Sequence, residues 1–125
     1  MEKIENSLNW FEIPVKNFER ARKFYSSIYS FEMPEMEMGP VKMGFFLVET
    51  GKIGGAICFG EGYEPSENGA LVYLNGGSDL NNVLKKVEQA GGRIMLPKTF
   101  IREDLGYYAI MKDSEGNRVA LHSMK

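Results

Sequence analysis

The chain has 125 residues, 43% of them hydrophobic and 26% charged, with a formal net charge of −2; that composition supports one compact domain over residues 1–125 and no second core. The mild acidity and the lack of a clustered basic face argue against nucleic acid as a partner. No apolar run is long enough to enter a membrane, Met1 to Glu5 hold no apolar signal core, and the single cysteine, Cys58, cannot build a disulfide framework or a cysteine-based zinc site, so the cytoplasm is the expected location.

Along the chain, Leu8 to Val15 alternates as a strand, with Phe11, Ile13 and Val15 on one face and Trp10, Glu12 and Pro14 on the other. Asn17 is a credible N-cap for a helix whose apolar stripe is Phe18, Ala21, Phe24, Tyr25 and Ile28. The methionines Met33, Met36, Met38 and Met43 read as core padding. Strands are expected over Val41–Glu49 and Ile53–Phe59, joined by a turn at Thr50-Gly51-Lys52, and Gly60 to Gly69 reads as an acidic linker. A strand at Ala70–Asn75 leads to a second helix carrying Leu80, Val83, Leu84, Val87 and Ala90, capped by Ser78 or Asp79 and stopped by Gly91-Gly92. Strands follow at Arg93–Leu96, Gly106–Met111 and Arg118–Ser123, the last two joined by a hairpin turn at Asp113-Ser114-Glu115-Gly116-Asn117. Lys98 to Gly106, with Thr99, Arg102, Glu103 and Asp104, reads as a solvated loop or as a flap.

The order strand, helix, strands therefore occurs twice. Setting Phe18 against Leu80 also sets Ala21 against Val83, Tyr25 against Val87 and Ile28 against Ala90. One extra residue in the Gly76-Gly77-Ser78 turn then matches Phe11 and Ile13 with Val72 and Leu74. The halves are expected at about 7–60 and 70–125, with the linker at about 61–69.

Three stretches carry a resemblance. Trp10-Phe11-Glu12-Ile13-Pro14-Val15 with Phe18-Glu19-Arg20-Ala21 and Phe24-Tyr25, Gly69 to Asn75 running on to Val87 through Gly92, and Asp113 to His122 resemble, in that order, the vicinal oxygen chelate superfamily of glyoxalase I, bleomycin-resistance proteins and extradiol dioxygenases. The resemblance implies an α+β fold of two βαβββ modules, their mixed sheets curving into a shared cup with the helices outside, and a homodimer. It also implies that metal-dependent members place one ligand on each of four strands. Those positions fall here on Trp10, Cys58, Leu71 or Val72, and Ala120, so no metal and no other cofactor is expected.

Strand parity turns Trp10, Glu12, Ala56, Cys58, Tyr73, Asn75, Ala120 and His122 toward the cup, with Arg118 nearer its rim. Glu12 and His122 are the candidate catalytic residues, because a carboxylate desolvated by a concave wall gains basicity and an imidazole can share its proton traffic. The bland alternatives are a Glu12 bonded to a neighbouring Tyr or Arg118 or reaching water at the open end, and a His122 facing solvent or satisfied in the core. Trp10, Cys58, Tyr73 and Ala120 are the candidate ligand contacts, Trp10 either stacking a flat ligand or simply filling space. The expected function is binding of a small organic molecule in the cup. The competing readings are a metal-free lyase or isomerase using Glu12 or His122, a metal-dependent glyoxalase-type lyase or dioxygenase, and a domain that serves only for assembly.

Overall fold

A computed structural model describes residues 1–125. In chain order the elements are β1 (Phe11–Pro14), α1 (Phe18–Tyr29), β2 (Glu35–Met38), β3 (Val41–Phe45), β4 (Gly55–Phe59), β5 (Tyr73–Asn75), α2 (Leu80–Val87), β6 (Arg93–Arg102), β7 (Gly106–Lys112) and β8 (Arg118–Ser123). They build two four-stranded sheets, ordered β1-β4-β3-β2 and β5-β8-β7-β6. In both, the first strand pairs in parallel with the last and the other pairings are antiparallel. Neither sheet closes into a barrel, and the βαβββ unit occurs twice with one topology, as the sequence repeat requires.

The helices form where the apolar spacing puts them. The Asn17 side chain accepts from the Arg20 N–H at 3.1 Å, and Asp79 accepts from the Asn81 N–H at 3.0 Å, so each cap satisfies a first-turn donor. Gly91, at φ 108°, lets the chain leave α2 while Gly92 N–H returns to Val87 O. The stripes of both helices and the inner faces of both sheets merge into one core of 17 buried residues, among them Ile13, Tyr25, Ile57, Leu80, Met111 and Leu121. Burial of that shared apolar surface is the main force holding the two halves together.

Register fixes the correspondence between the halves. Ile13 lies beside Ile57, and Leu74 beside Leu121. Phe11 and Ile13 thus match Val72 and Leu74, while Ala56 matches Ala120 and Cys58 matches His122. This alignment selects Leu71, not Val72, as the counterpart of Trp10. Phe11 packs its ring on Gly55, where an added Cβ would lie 2.4 Å from it, so this position accepts only glycine without a shift.

Six stretches depart from the sequence reading. Of the strand expected over Leu8–Val15 only Phe11–Pro14 is regular strand, and of that over Ala70–Asn75 only Tyr73–Asn75. The strand expected over Val41–Glu49 stops at Phe45, and its successor begins at Gly55. Glu35–Met38 forms β2, which lacks a burial signal because all four of its residues are exposed. The Lys98–Gly106 loop is mostly strand: β6 runs to Arg102 across register shifts, and Arg102 grips Asp104 through two bonds of 2.6 and 2.9 Å in a short turn. That paired hairpin offers no hinged flap.

Candidate functional site

The two faces of the first sheet differ in kind. Phe11, Ile13 and Ile57 face the helices, whereas Glu12, Ala56, Phe45, Cys58 and Met43 share the opposite face through the ladder. There Met43, Ala56 and Cys58 make a separate small buried cluster under Val41, Phe45 and Tyr63. Trp10 stands just before β1, its ring 6.2 Å from that of Phe45. Tyr63 reaches back from the linker, whose turn is closed by Tyr63 N–H on Gly60 O.

These side chains converge on Glu12. Its Oε1 accepts from the Tyr63 hydroxyl at 2.7 Å and its Oε2 from Trp10 Nε1 at 3.3 Å. The bond to Glu12 is the main reason that the Tyr63 phenol is pushed up to about 12, so it stays a donor. The Glu12 carboxylate is exposed rather than enclosed, on a strand at the outer edge of its sheet. A carboxylate has about four acceptor positions, so two bonds leave room for a ligand donor.

Cys58 lies beneath this group, fully buried, and burial chiefly, with Glu12 second, pushes its thiol up to about 12. It is a packed apolar side chain rather than a nucleophile. On the second sheet Tyr73, Ala120 and Ile110 share the non-helical face, as do Asn75, His122 and Tyr108. Tyr73 is exposed and its ring lies 6.3 Å from that of Tyr108. Ala120 is fully buried, so like Cys58 it floors its sheet and offers a ligand no surface. His122 Nε2 is 2.6 Å from Leu105 O, a contact that makes this nitrogen the N–H donor.

Glu12 and His122 share neither a hydrogen bond nor a cavity. Glu12 instead lines a cavity of about 230 Å³ with Arg118, Glu64, Ser66 and Asn68. Tyr63 and Phe45 are the two members of the Glu12 group that sequence reasoning missed. An aromatic residue within an otherwise polar linker was the available sign for Tyr63.

Of the positions that the resemblance assigns to a metal, Trp10, Leu71 and Ala120 carry an indole and two aliphatic side chains, and for the fourth, expected at the buried thiol of Cys58, the register makes Ala56 the counterpart of Ala120. No three His, Cys, Asp or Glu side chains group closely enough to hold a metal ion. This donor set does not fit a divalent metal, which needs several oxygen, nitrogen or thiolate ligands. No helix is long and apolar enough to cross a membrane.

With two βαβββ units and this site in view, the chain belongs to the Glyoxalase/Bleomycin resistance protein/Dioxygenase superfamily, whose profile matches residues 7–121. Among solved structures, a hypothetical protein from S. aureus is similar at TM-score 0.66 and 20% identity, covering 97% of this chain and 99% of that one. An antibiotic binding protein from a Streptomyces species matches at TM-score 0.66 and 15% identity, covering 98% of each chain. A glyoxalase I variant from Zea mays matches at TM-score 0.70 and 13% identity over 94% of this chain, which spans only 44% of that one. At these identities the likeness is one of fold. No curated protein sequence matches significantly.

Proposed function

We propose that the protein binds a small planar organic molecule, neutral or cationic, on the non-helical face of its first sheet, without a metal. The observation that carries this reading is the exposed Glu12 carboxylate held between the donors of Trp10 and Tyr63, with Phe45 beside the indole. Aromatic faces attract flat or cationic ligands, and a carboxylate between them anchors an N–H or O–H group. Tyr73 and Tyr108 on the second sheet extend the surface available to a larger ligand. The fold is shared with an antibiotic binding protein as well as with glyoxalase I, so it accommodates a binding role. The same reading includes a homodimer, supported by the unpaired outer edges of β2 and β6 and by exposed Met36 and Met38 on β2.

A thermal-shift screen of planar amines and neutral heteroaromatics tests the reading. A true ligand at a hundredfold its dissociation constant stabilises the protein by about 2.7 kcal/mol. Trp10→Ala and Glu12→Gln should each erase most of that shift. A hit that survives both changes, or the absence of any hit, would sink the proposal.

A further inference from the structure

The two βαβββ units place their β3–β4 and β7–β8 connections at equivalent points of the two sheets, yet the connections behave differently. The β7–β8 turn is clamped onto the other half: Asn117 Nδ2 donates to Pro14 O at 2.7 Å, and Glu115 accepts from the Lys16 and Asn17 N–H groups at 2.9 and 2.7 Å. The β3–β4 connection has no such clamp. Its own backbone bonds, Phe46 N–H to Gly55 O and Lys52 N–H to Glu49 O, stay within the first half. Between it and β5 lies an open cleft of about 720 Å³.

From this we infer a second binding site, which borders the Glu12 surface at Tyr73 but does not contain Glu12, for an uncharged and mostly hydrocarbon small molecule. The aromatic wall is Phe11, Phe46 and Tyr29, with ring centroids 5.5 Å apart for Phe11 and Phe46 and 6.4 Å apart for Tyr29 and Phe46. Leu47 and Val48 stand at the mouth, 68% and 49% exposed. No charged side chain lines the cleft, so an ion would lose its hydration there without repayment. Two of the three polar side chains of the lining are engaged, Tyr29 donating to Asn75 O at 2.8 Å and Asn75 Oδ1 accepting from Gly77 N–H at 2.9 Å, and the third, Tyr73, brings a hydroxyl to the cleft.

The ladder leaves a further polar edge. Ala120 N–H bonds Val72 O and Gly76 N–H bonds His122 O, so the peptide groups of Tyr73 between them point away from β8, along the open edge. A ligand with a single carbonyl or hydroxyl on a hydrocarbon body matches that edge. The volume lies within the usual range for small-molecule pockets, and concavity with an open mouth favours such a ligand over a flat subunit contact.

Titration with N-phenyl-1-naphthylamine, a neutral fluorescent probe, tests the site. Saturable binding of one probe per chain is expected, weakened at least tenfold by Leu47→Asp and by Ile53→Asn, with circular dichroism verifying that both variants fold. Phe100→Ala, which removes an exposed aromatic far from the cleft, should leave the affinity unchanged. Non-saturable binding, or equal affinity in wild type and both cleft variants, would refute the site. So would a sedimenting dimer that Leu47→Asp converts to monomer, since the cleft would then belong to a subunit contact. Because the probe lacks the cation and the cleft lacks Glu12, this result is read independently of the Glu12 variants.

Discussion

The β7–β8 and β3–β4 turns occupy matching places, and the contrast between them shows how a duplicated fold can spend one copy on cohesion and leave the other open. Asp113 sits at the centre of the closed copy. It accepts from the Tyr25 hydroxyl at 2.7 Å, from Asn117 Nδ2 at 3.1 Å, and from the Glu115 and Asn117 N–H groups at 2.9 Å each. Burial holds its carboxyl above the ordinary aspartate value despite those four donors. Burial and the nearby Asp113 carboxylate also push the Tyr25 phenol well up. Nothing comparable joins the β3–β4 turn to β5, where apolar side chains line an opening instead.

The largest effect should come from breaking the closed copy. Asp113→Ala would strand four donors, at least two of them buried, and is expected to cost about 3 kcal/mol, measured by urea unfolding. Tyr25→Phe removes one donor from a carboxylate that keeps three, and about 1 kcal/mol is expected.

Glu115 makes the clamp depend on acidity. Burial pushes its carboxyl up, but the Arg20 guanidinium at 2.7 Å and the Lys16 and Asn17 N–H groups outweigh that and hold it below the usual glutamate value. The folded chain therefore keeps Glu115 ionised where the unfolded chain takes up a proton. Its contribution is complete above the unfolded pKa, about 4.3, and is lost as pH falls through the lower native value. The stability gap between wild type and Glu115→Gln should thus be widest near neutrality and close below about pH 4. Asp113, with its raised native value, acts in the opposite direction: its ionisation costs stability as pH rises through that value. A gap that stays constant down to acid unfolding would remove Glu115 from the clamp.

The smallest effect belongs to the open copy. Leu47→Asp should change unfolding stability by less than about 0.5 kcal/mol, because Leu47 is already exposed. A loss as large as that of Tyr25→Phe would mean that the open turn also supports the fold.

Much of the fold was legible in the sequence, though little of this contrast was. Helical spacing located α1 and α2 with their caps, and alternation set Glu12 apart from Ile13, because burial against a helix leaves a periodic mark. β2 escaped because Glu-Met-Glu-Met buries nothing, and Pro97 with the polar residues after it hid the continuation of β6. The clamp escaped for another reason. Asp113 and Asn117 have ordinary turn chemistry, and only tertiary proximity reveals Tyr25 and Pro14 as their partners. The Glu12 group was half visible: Trp10 shares its strand face, while Tyr63 arrives through a linker that has no period to read. Leu47 and Val48 looked like strand, so the cleft they border was concealed.

The strand order has a consequence in time. In each sheet the last strand lies inside, continuing an antiparallel meander on one side and pairing in parallel with the distant first strand on the other. Glu12 waits for Ala56, and Tyr73 for Ala120, before either parallel pairing exists. Each sheet can grow hairpin by hairpin from β2 or β6, but its parallel pairing has to close the loop that carries the helix. Such distant pairings slow folding toward the millisecond-to-second range. Until β1 and β5 dock, the edges of β4 and β8 that they cover stand open to other chains.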